Sequence, residues 1–333
     1  MKLRDAAANA GLAIGSILFF VLVVEVGLRL SGFSYVLYPE EIEFGKPDPV
    51  LMKTGFVEDD DLFWVTRDYQ EKLKGYLREP PSLVFMGDSC TQFGKYDQRL
   101  AERVAARGGT LRYGNLGVAG WTSYQGRRQM ERDTVRIRPR AATIYYGWND
   151  HWIGFGIEDK NVAVVKRVFS SRFSEVRLVQ LFTKATVAVG TRRTAYPNRV
   201  STEDFGDNLQ AIVRAARGAG IEPVLLTAPT SVQAGAEPEY LGSRWLRELS
   251  ELLPLHNAYV DMVREVGAAE NATVCDLAAA FAELPREEVE AAFMADGIHL
   301  TDAGDEKIAA FLDKCFEEAG LWPRIMDPQG ADP

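Results

Sequence analysis

From residue 82 onward, the order of apolar and polar positions alternates between two patterns. Short apolar runs at 82–86, 111–115, 142–146, 223–227 and 273–276 read as buried strands. Runs of that length look alike in a strand and in a buried helix, and here the flanking glycines and β-branched residues decide for strand. Between them lie stretches of helical period. Leu209, Ile212, Val213 and Ala216 fall at i, i+3, i+4 and i+7, with Gly218 and Gly220 as a stop. Ile308, Phe311, Leu312, Cys315 and Phe316 repeat that spacing near the C-terminus. Strands alternating with helices predict a parallel sheet covered on both faces, with any ligand site beyond the carboxyl ends of the strands.

Three segments depart from this alternation. Residues 6–24 carry no charge, and such a run is about the ~20 residues a helix needs to cross a bilayer. It is longer than the apolar core of a signal peptide, and Glu25-Val26-Gly27-Leu28-Arg29-Leu30 after it offers no good cleavage site. Residues 1–31 are therefore expected to form an uncleaved anchor; a cleaved signal peptide, which would leave the chain secreted, and a buried soluble helix are the alternatives. Lys2 and Arg4 before the span, against Arg29 after it, give a weak bias toward a cytoplasmic N-terminus with the bulk of the chain outside. Residues 32–81 read as a connecting region, punctuated by Pro39, Pro47, Pro49, Pro80 and Pro81, with 58–61 as a solvated acidic run. Phe56, Phe63, Trp64 and Tyr69 within it are candidates to pack on the main domain, taken as 82–320. Residues 152–203 form a long insertion mixing aromatics (Trp152, Phe155, Phe169, Phe173, Phe182, Tyr196) with bases (Lys160, Lys166, Arg167, Arg172, Arg177, Lys184, Arg192, Arg193, Arg199). It reads as an extra helical layer, or as a lid or membrane-facing surface.

Composition narrows the class a little. In 333 residues, 47% hydrophobic and 26% charged content can bury a sizeable core, and a net charge of −9 excludes the basic footprint of a nucleic-acid binder. Cys90, Cys275 and Cys315 lie far apart without a CxxC pair, which speaks against a zinc site and against a disulfide scaffold.

The chemistry is carried by four short blocks at predicted strand or helix ends. Gly87-Asp88-Ser89 follows the first buried strand and puts a serine at the start of a helix, where free N–H groups favour an anion. Asn115-Leu116-Gly117-Val118-Ala119-Gly120 follows the second, and a glycine there can aim its N–H into a site. Gly147-Trp148-Asn149-Asp150 follows the third and supplies an amide donor. Asp296-Gly297-Ile298-His299 precedes the last helix and sets a carboxylate three residues before an imidazole. A serine hydroxyl attacks only when a base takes its proton, and the tetrahedral intermediate needs prepositioned donors. Ser89, His299 and Asp296 meet the first need, and the N–H groups of Ser89 and Gly117 with the Asn149 side chain meet the second. Asp88 and Asp150 read as loop acids, His151 as packed between Trp148 and Trp152, Cys90 as a buried filler and His256 as a surface residue without a role.

These four blocks, in this order, resemble the SGNH, or GDSL-type, hydrolases over about residues 82–318. The resemblance implies a flavodoxin-like three-layer α/β/α sandwich working without metal or organic cofactor. It implies Ser89 as nucleophile, Asp296 and His299 as its partners, and Ser89, Gly117 and Asn149 as oxyanion hole. Cys90-Thr91 after the serine and the long insertion depart from the pattern, and the latter leaves the substrate class open. The expected activity is hydrolysis of an O-acyl ester, an acetyl or other short group, on an extracytoplasmic carbohydrate or lipid. Transfer of the acyl group to a cell-surface polymer by the same residues, as in membrane-anchored relatives, and a non-catalytic polymer-binding role are the alternatives.

Overall fold

The computed structural model describes residues 2–34, 55–153, 158–162, 176–182, 184–185 and 197–326. Five parallel strands form one sheet: β3 (Leu83–Gly87), β4 (Tyr113–Asn115), β5 (Ala141–Tyr145), β6 (Glu222–Leu226) and β7 (Thr273–Cys275). Their spatial order is β4-β3-β5-β6-β7. The order reverses between β3 and β5, so the loops after those two strands diverge and leave a crevice at the carboxyl edge. All five lie within two residues of the apolar runs in the sequence.

Alternation along each strand divides the core in two. Leu83 and Phe85 of β3, Tyr145 of β5 and Val224 and Leu226 of β6 enter one cluster. Val84, Met86, Ala142, Ile144 and Leu225 enter the other. Both faces are covered, which is why these strands read as unbroken apolar runs rather than as alternating ones. The first face is closed by Leu100 and Val104 of α1 (Tyr96–Ala106) and by Ile308 and Leu312 of α2 (Asp302–Glu318). The second is closed by Phe205, Leu209 and Ile212 of the helix Thr202–Gly218 and by Tyr259 and Val263 of the helix Leu252–Glu270. The result is the three-layer α/β/α sandwich. The packing of α1 on α2 places the loops that start the two helices side by side.

The region before residue 82 is more than a tether. β1 (Phe56–Asp59) and β2 (Phe63–Thr66) form an antiparallel hairpin, followed by a helix over Tyr69–Arg78. Phe56, Phe63, Trp64, Tyr69 and Leu73 are buried in the second cluster. The acidic run forms the hairpin turn and is not simply solvated. Asp59 accepts the N–H groups of Asp61 and Leu62 at 2.9 and 2.8 Å and pairs with Arg132 at 2.8 Å, while Asp61 pairs with Arg128. Pro39, Pro47 and Pro49 lie outside the described residues.

A helix over Lys2–Leu30 precedes all of this. Its stretch Gly11–Leu30 is long and apolar enough to cross a membrane, and none of it is buried in the protein. Near its end, Glu25 accepts the N–H groups of Arg177 and Leu178, at 3.0 and 2.8 Å, from the insertion. The feet of the insertion are also tied: Arg199 N–H donates to the Trp152 carbonyl at 2.8 Å and Asp159 N–H to the Arg199 carbonyl at 2.8 Å. Phe155, Phe169, Phe173, Tyr196, Lys166, Arg167, Arg172, Arg192 and Arg193 of the insertion lie outside the described residues.

The cysteines overturn one expectation. Cys275 at the end of β7 and Cys315 on α2 form a disulfide across 40 residues. They are remote in sequence, but α2 packs against β7 and brings them together. Only Cys90 is a free thiol among the described residues. Closing a loop of that length restricts the unfolded chain by about 4 kcal/mol in the entropy picture. Cys275→Ser with Cys315→Ser is therefore expected to lower the unfolding free energy by ~2–4 kcal/mol, measured by denaturant titration, and reductant should weaken the parent chain but not the double variant.

Candidate active site

β3 ends at Gly87, and Asp88 caps the short helix Ser89–Gln92 that follows. One carboxylate oxygen of Asp88 accepts the Cys90 N–H at 2.9 Å, and the other accepts Asn149 Nδ2–H at 3.0 Å. The buried acid thus starts the serine's helix and orients the amide of the neighbouring loop. An amide nitrogen carries two N–H groups, so one of Asn149's is left for another acceptor. Burial pushes the Asp88 carboxyl up to about 6, against the Cys90 N–H, the positive charge of His299 and the Asn149 amide, which favour ionisation.

Asp296 and His299 fold as a compact turn. One Asp296 oxygen accepts the N–H groups of both Ile298 and His299, each at 2.9 Å. The other meets His299 Nδ1 at 2.6 Å. A carboxylate can only accept, so Nδ1 carries the proton and donates. Nε2 of the neutral ring is then an acceptor, and it lies 2.9 Å from Ser89 Oγ. Burial alone would depress His299, but the hydrogen bond and charge of Asp296, with Asp88 behind, outweigh it and hold the imidazole above its ordinary value. Burial likewise works to raise Asp296, but the bonds it accepts from the imidazole and the two backbone N–H groups win and its carboxyl is lowered.

This relay opens onto a cavity of about 220 Å³. Asn149, Ala119 and Gly120 line it beside Ser89 and His299, and Phe93, Trp148, Trp152, Tyr240, Trp245 and Ile298 form an aromatic and apolar wall. Trp152 comes from the first foot of the insertion. Among the described residues no cluster of histidine, cysteine or acidic side chains has the arrangement of a metal site.

The two glycines of Asn115–Gly120 take different places. Gly117 does not line the cavity, and its N–H donates to Asn115 Oδ1 at 2.9 Å. A Cβ there would lie 2.7 Å from the Gln92 nitrogen and 2.8 Å from Thr91 Cβ, so Gly117 serves close packing beneath the serine's helix. Gly120 faces the cavity with φ +78°, a conformation side-chain-bearing residues rarely adopt. The sequence reading singled out Gly117. The tertiary structure brings Gly120, three residues on, to the site instead.

The remaining candidates are structural neighbours. Asp150 accepts N–H groups from Gly147 at 3.1 Å and Ser123 at 2.8 Å, which ties its loop, and burial pushes it up to about 7. His151 packs against Trp148 and Trp152. His256, read as a surface residue, is buried on the helix Leu252–Glu270 and stacks on Trp148 with ring centres 4.0 Å apart. Its context among polar neighbours hid that it falls on the helix's inner face with Tyr259 and Val263. Burial depresses His256 to about 4, so it supports the Trp148 wall as a neutral ring. Cys90 is buried, and burial pushes its thiol up and keeps it protonated.

A doubly wound parallel sheet with a serine, imidazole and carboxylate in relay at its switch point defines the class: an α/β acylhydrolase. The profile of the GDSL-like lipase/acylhydrolase family matches residues 85–307, well over half the chain, and the chain belongs to that family. No curated protein sequence matches it closely enough to compare. Among solved structures it is similar to a lipase/acylhydrolase from Enterococcus faecalis, at 19% identity over 75% of this chain and 98% of that one, with a TM-score of 0.48. It is similar to a GDSL-like lipase from Bacteroides thetaiotaomicron, at 15% identity over 76% and 98%, TM-score 0.49. It is also similar to the acetylxylan esterase Axe2 from Geobacillus stearothermophilus, at 16% identity over 74% and 94%, TM-score 0.43.

The electrostatics of His299 set a pH dependence. An imidazole that takes the Ser89 proton must start unprotonated, and His299 is held above the ordinary histidine value of about 6.5. The acid limb of kcat/KM is expected to have its midpoint above that value. Asp296→Asn removes the charge of Asp296, the larger source of the upward shift, and leaves the burial that lowers the imidazole opposed mainly by Asp88, so the limb should move to lower pH while the rate falls. A pH–rate profile of both forms checks the direction.

Proposed function

We propose that the chain hydrolyses an O-acyl ester, an acetyl or other short acyl group, on an extracytoplasmic carbohydrate or lipid, through an acyl-enzyme on Ser89. The observation that carries this reading is the unbroken relay from Asp296 through His299 to Ser89 Oγ, opening on the cavity that Asn149 and Gly120 line. Ser89 Oγ attacks the ester carbonyl as its proton passes to His299 Nε2, and Asp296 stabilises the resulting imidazolium. The carbonyl oxygen becomes an oxyanion held by the Ser89 and Gly120 N–H groups and by the free N–H of the Asn149 amide. The intermediate collapses, the proton on Nε2 goes to the departing alcohol, and the acyl group stays on Ser89. Water then gives a proton to His299 and attacks the acyl carbonyl; Ser89 leaves, recovers its proton, and the free acid is released.

Gly120 replaces Gly117 in this assignment because Gly117 N–H is already committed to Asn115. An extracytoplasmic setting is supported by the apolar helix Gly11–Leu30 and by the Cys275–Cys315 disulfide, since such bonds persist in oxidising compartments. Acyl transfer to a second alcohol is favoured by one feature. The aromatic wall beside Ser89, which includes Trp152 of the insertion, is apolar and would disfavour water at an acyl-enzyme there.

Ser89→Ala should abolish turnover of aryl acetates and acetylated glycans and abolish labelling by a fluorophosphonate; turnover surviving in that variant would falsify the acyl-enzyme. Asn149→Ala should lower kcat by ~10²–10³ with little change in KM, the usual cost of one oxyanion donor. Product analysis separates the two acceptors: free acid alone supports hydrolysis, and acylated glycan with little free acid supports transfer.

A further inference from the structure

The loop carrying Gly120 is gripped from outside the cavity at both carbonyls that flank that glycine. The Ala119 carbonyl accepts the Trp64 indole N–H at 2.9 Å. The Gly120 carbonyl accepts Arg199 Nη1–H at 2.7 Å. In a trans peptide the C=O and N–H of one unit point to opposite sides, and no cis peptide occurs among the described residues. The Ala119 carbonyl and the Gly120 N–H belong to one such unit. Holding that carbonyl on Trp64 therefore turns the N–H away from Trp64. Ala119 and Gly120 line the cavity and Trp64 does not, so that direction is toward the reacting centre.

Both donors are themselves fixed. The Trp64 carbonyl accepts the Trp121 indole N–H at 2.8 Å, so two indoles link hairpin and loop in opposite directions. The Arg199 guanidinium grips both oxygens of Asp159, at 3.2 and 2.8 Å, with side chains only 5% and 7% exposed. Asp159 also accepts the Thr122 hydroxyl at 2.9 Å, at the far end of the same loop. The Ala119 N–H donates to Gln92 Oε1 at 2.6 Å, which ties the loop to the serine's helix. Desolvating a buried ion pair cancels most of what its attraction returns. Stability is thus a poor account of Arg199–Asp159, and the placement of a peptide is a better one.

We propose that Trp64 and Arg199, the latter held by Asp159, are positioning residues that clamp the Gly120 peptide in the orientation the oxyanion needs. The hairpin ahead of the matched family region and the second foot of the insertion then form working parts of the site. This inference rests on the acyl-enzyme reading given above.

The test uses Trp64→Phe, which removes one N–H and keeps an aromatic ring, and the paired change Arg199→Met with Asp159→Leu, which removes the ion pair without stranding a charge. Full-length protein in detergent is assayed on an aryl acetate and on its thionoester, whose sulfur is a weak hydrogen-bond acceptor and draws little from an oxyanion hole. Rates are expressed per site titrated with fluorophosphonate, so unfolded protein does not count. The ester kcat is expected to fall ~10–100-fold with KM within ~2-fold, less than the ~10²–10³ for outright loss of a donor. The ester-to-thionoester rate ratio should fall by about 10-fold, because only the ester depends on the aimed N–H. A role in stability alone would slow both substrates alike, and an unchanged ratio overturns the proposal. Should Trp64→Phe not fold, the paired change decides by the same ratio. Ser89→Ala run beside them separates the two levels. If it retains turnover, the acyl-enzyme reading fails; if it is inactive while the clamp variants keep the parent ratio, only the clamp fails.

Discussion

His299 Nε2 and Ser89 Oγ meet at 2.9 Å across 210 residues of chain. Neither loop could hold that distance alone. The serine loop is fixed by β3 below it and by the Asp88 cap. The histidine loop is fixed by the turn that Asp296 closes with two backbone bonds. What brings them together is the packing of α1 on α2, with Leu100 and Val104 against Ile308 and Leu312 on one face of the sheet. Ion pairs such as Arg103–Glu306 and Lys95–Asp302 border that contact, but they are solvent-exposed and weigh little beside the apolar core. The Ser89–His299 hydrogen bond thus depends on the burial of aliphatic side chains well away from it.

Around that contact, burial and charge act in opposite directions on each titrating group. Burial favours the neutral form of every one of them. For His299 the partner Asp296 prevails, and for Asp296 the converging N–H donors prevail. For Asp88 burial prevails over its donors. The balance leaves an imidazole held above its ordinary value at the serine, a carboxylate kept ionised behind it, and an acid beneath that serves geometry by capping one helix and turning one amide.

The segments outside the alternating strands and helices converge on the side of the cavity that Ala119 and Gly120 line. The hairpin reaches Ala119 through Trp64, and the insertion supplies Trp152 to the cavity wall and Arg199 to the Gly120 carbonyl. The insertion also meets the end of the N-terminal apolar helix through Glu25. The two described ends of the insertion thus carry Trp152 and Arg199 to the site, while its middle portion over 176–182 carries the contact to that helix.

The sequence by itself determined what depends on neighbours a few residues apart. Buried runs marked all five strands of the main sheet, and Asp296 and His299 at a spacing of three declared their turn and their pairing. Four blocks in order were enough to place the chain in its family and to single out Ser89, His299 and Asp296, which the fold brings into hydrogen-bond contact. What required the tertiary structure depends on contacts distant in the chain. Two glycines in Asn115–Gly120 look equivalent as letters; Asn115 occupies the N–H of one, and carbonyl bonds to residues 55 and 79 positions away surround the other. Cys275 and Cys315 looked unrelated until α2 lay against β7. His256 looked exposed because its buried face is made by Trp148, far off in sequence. In each case the chemistry of the residue was legible, and its partner was set by how layers pack, which no short-range pattern encodes.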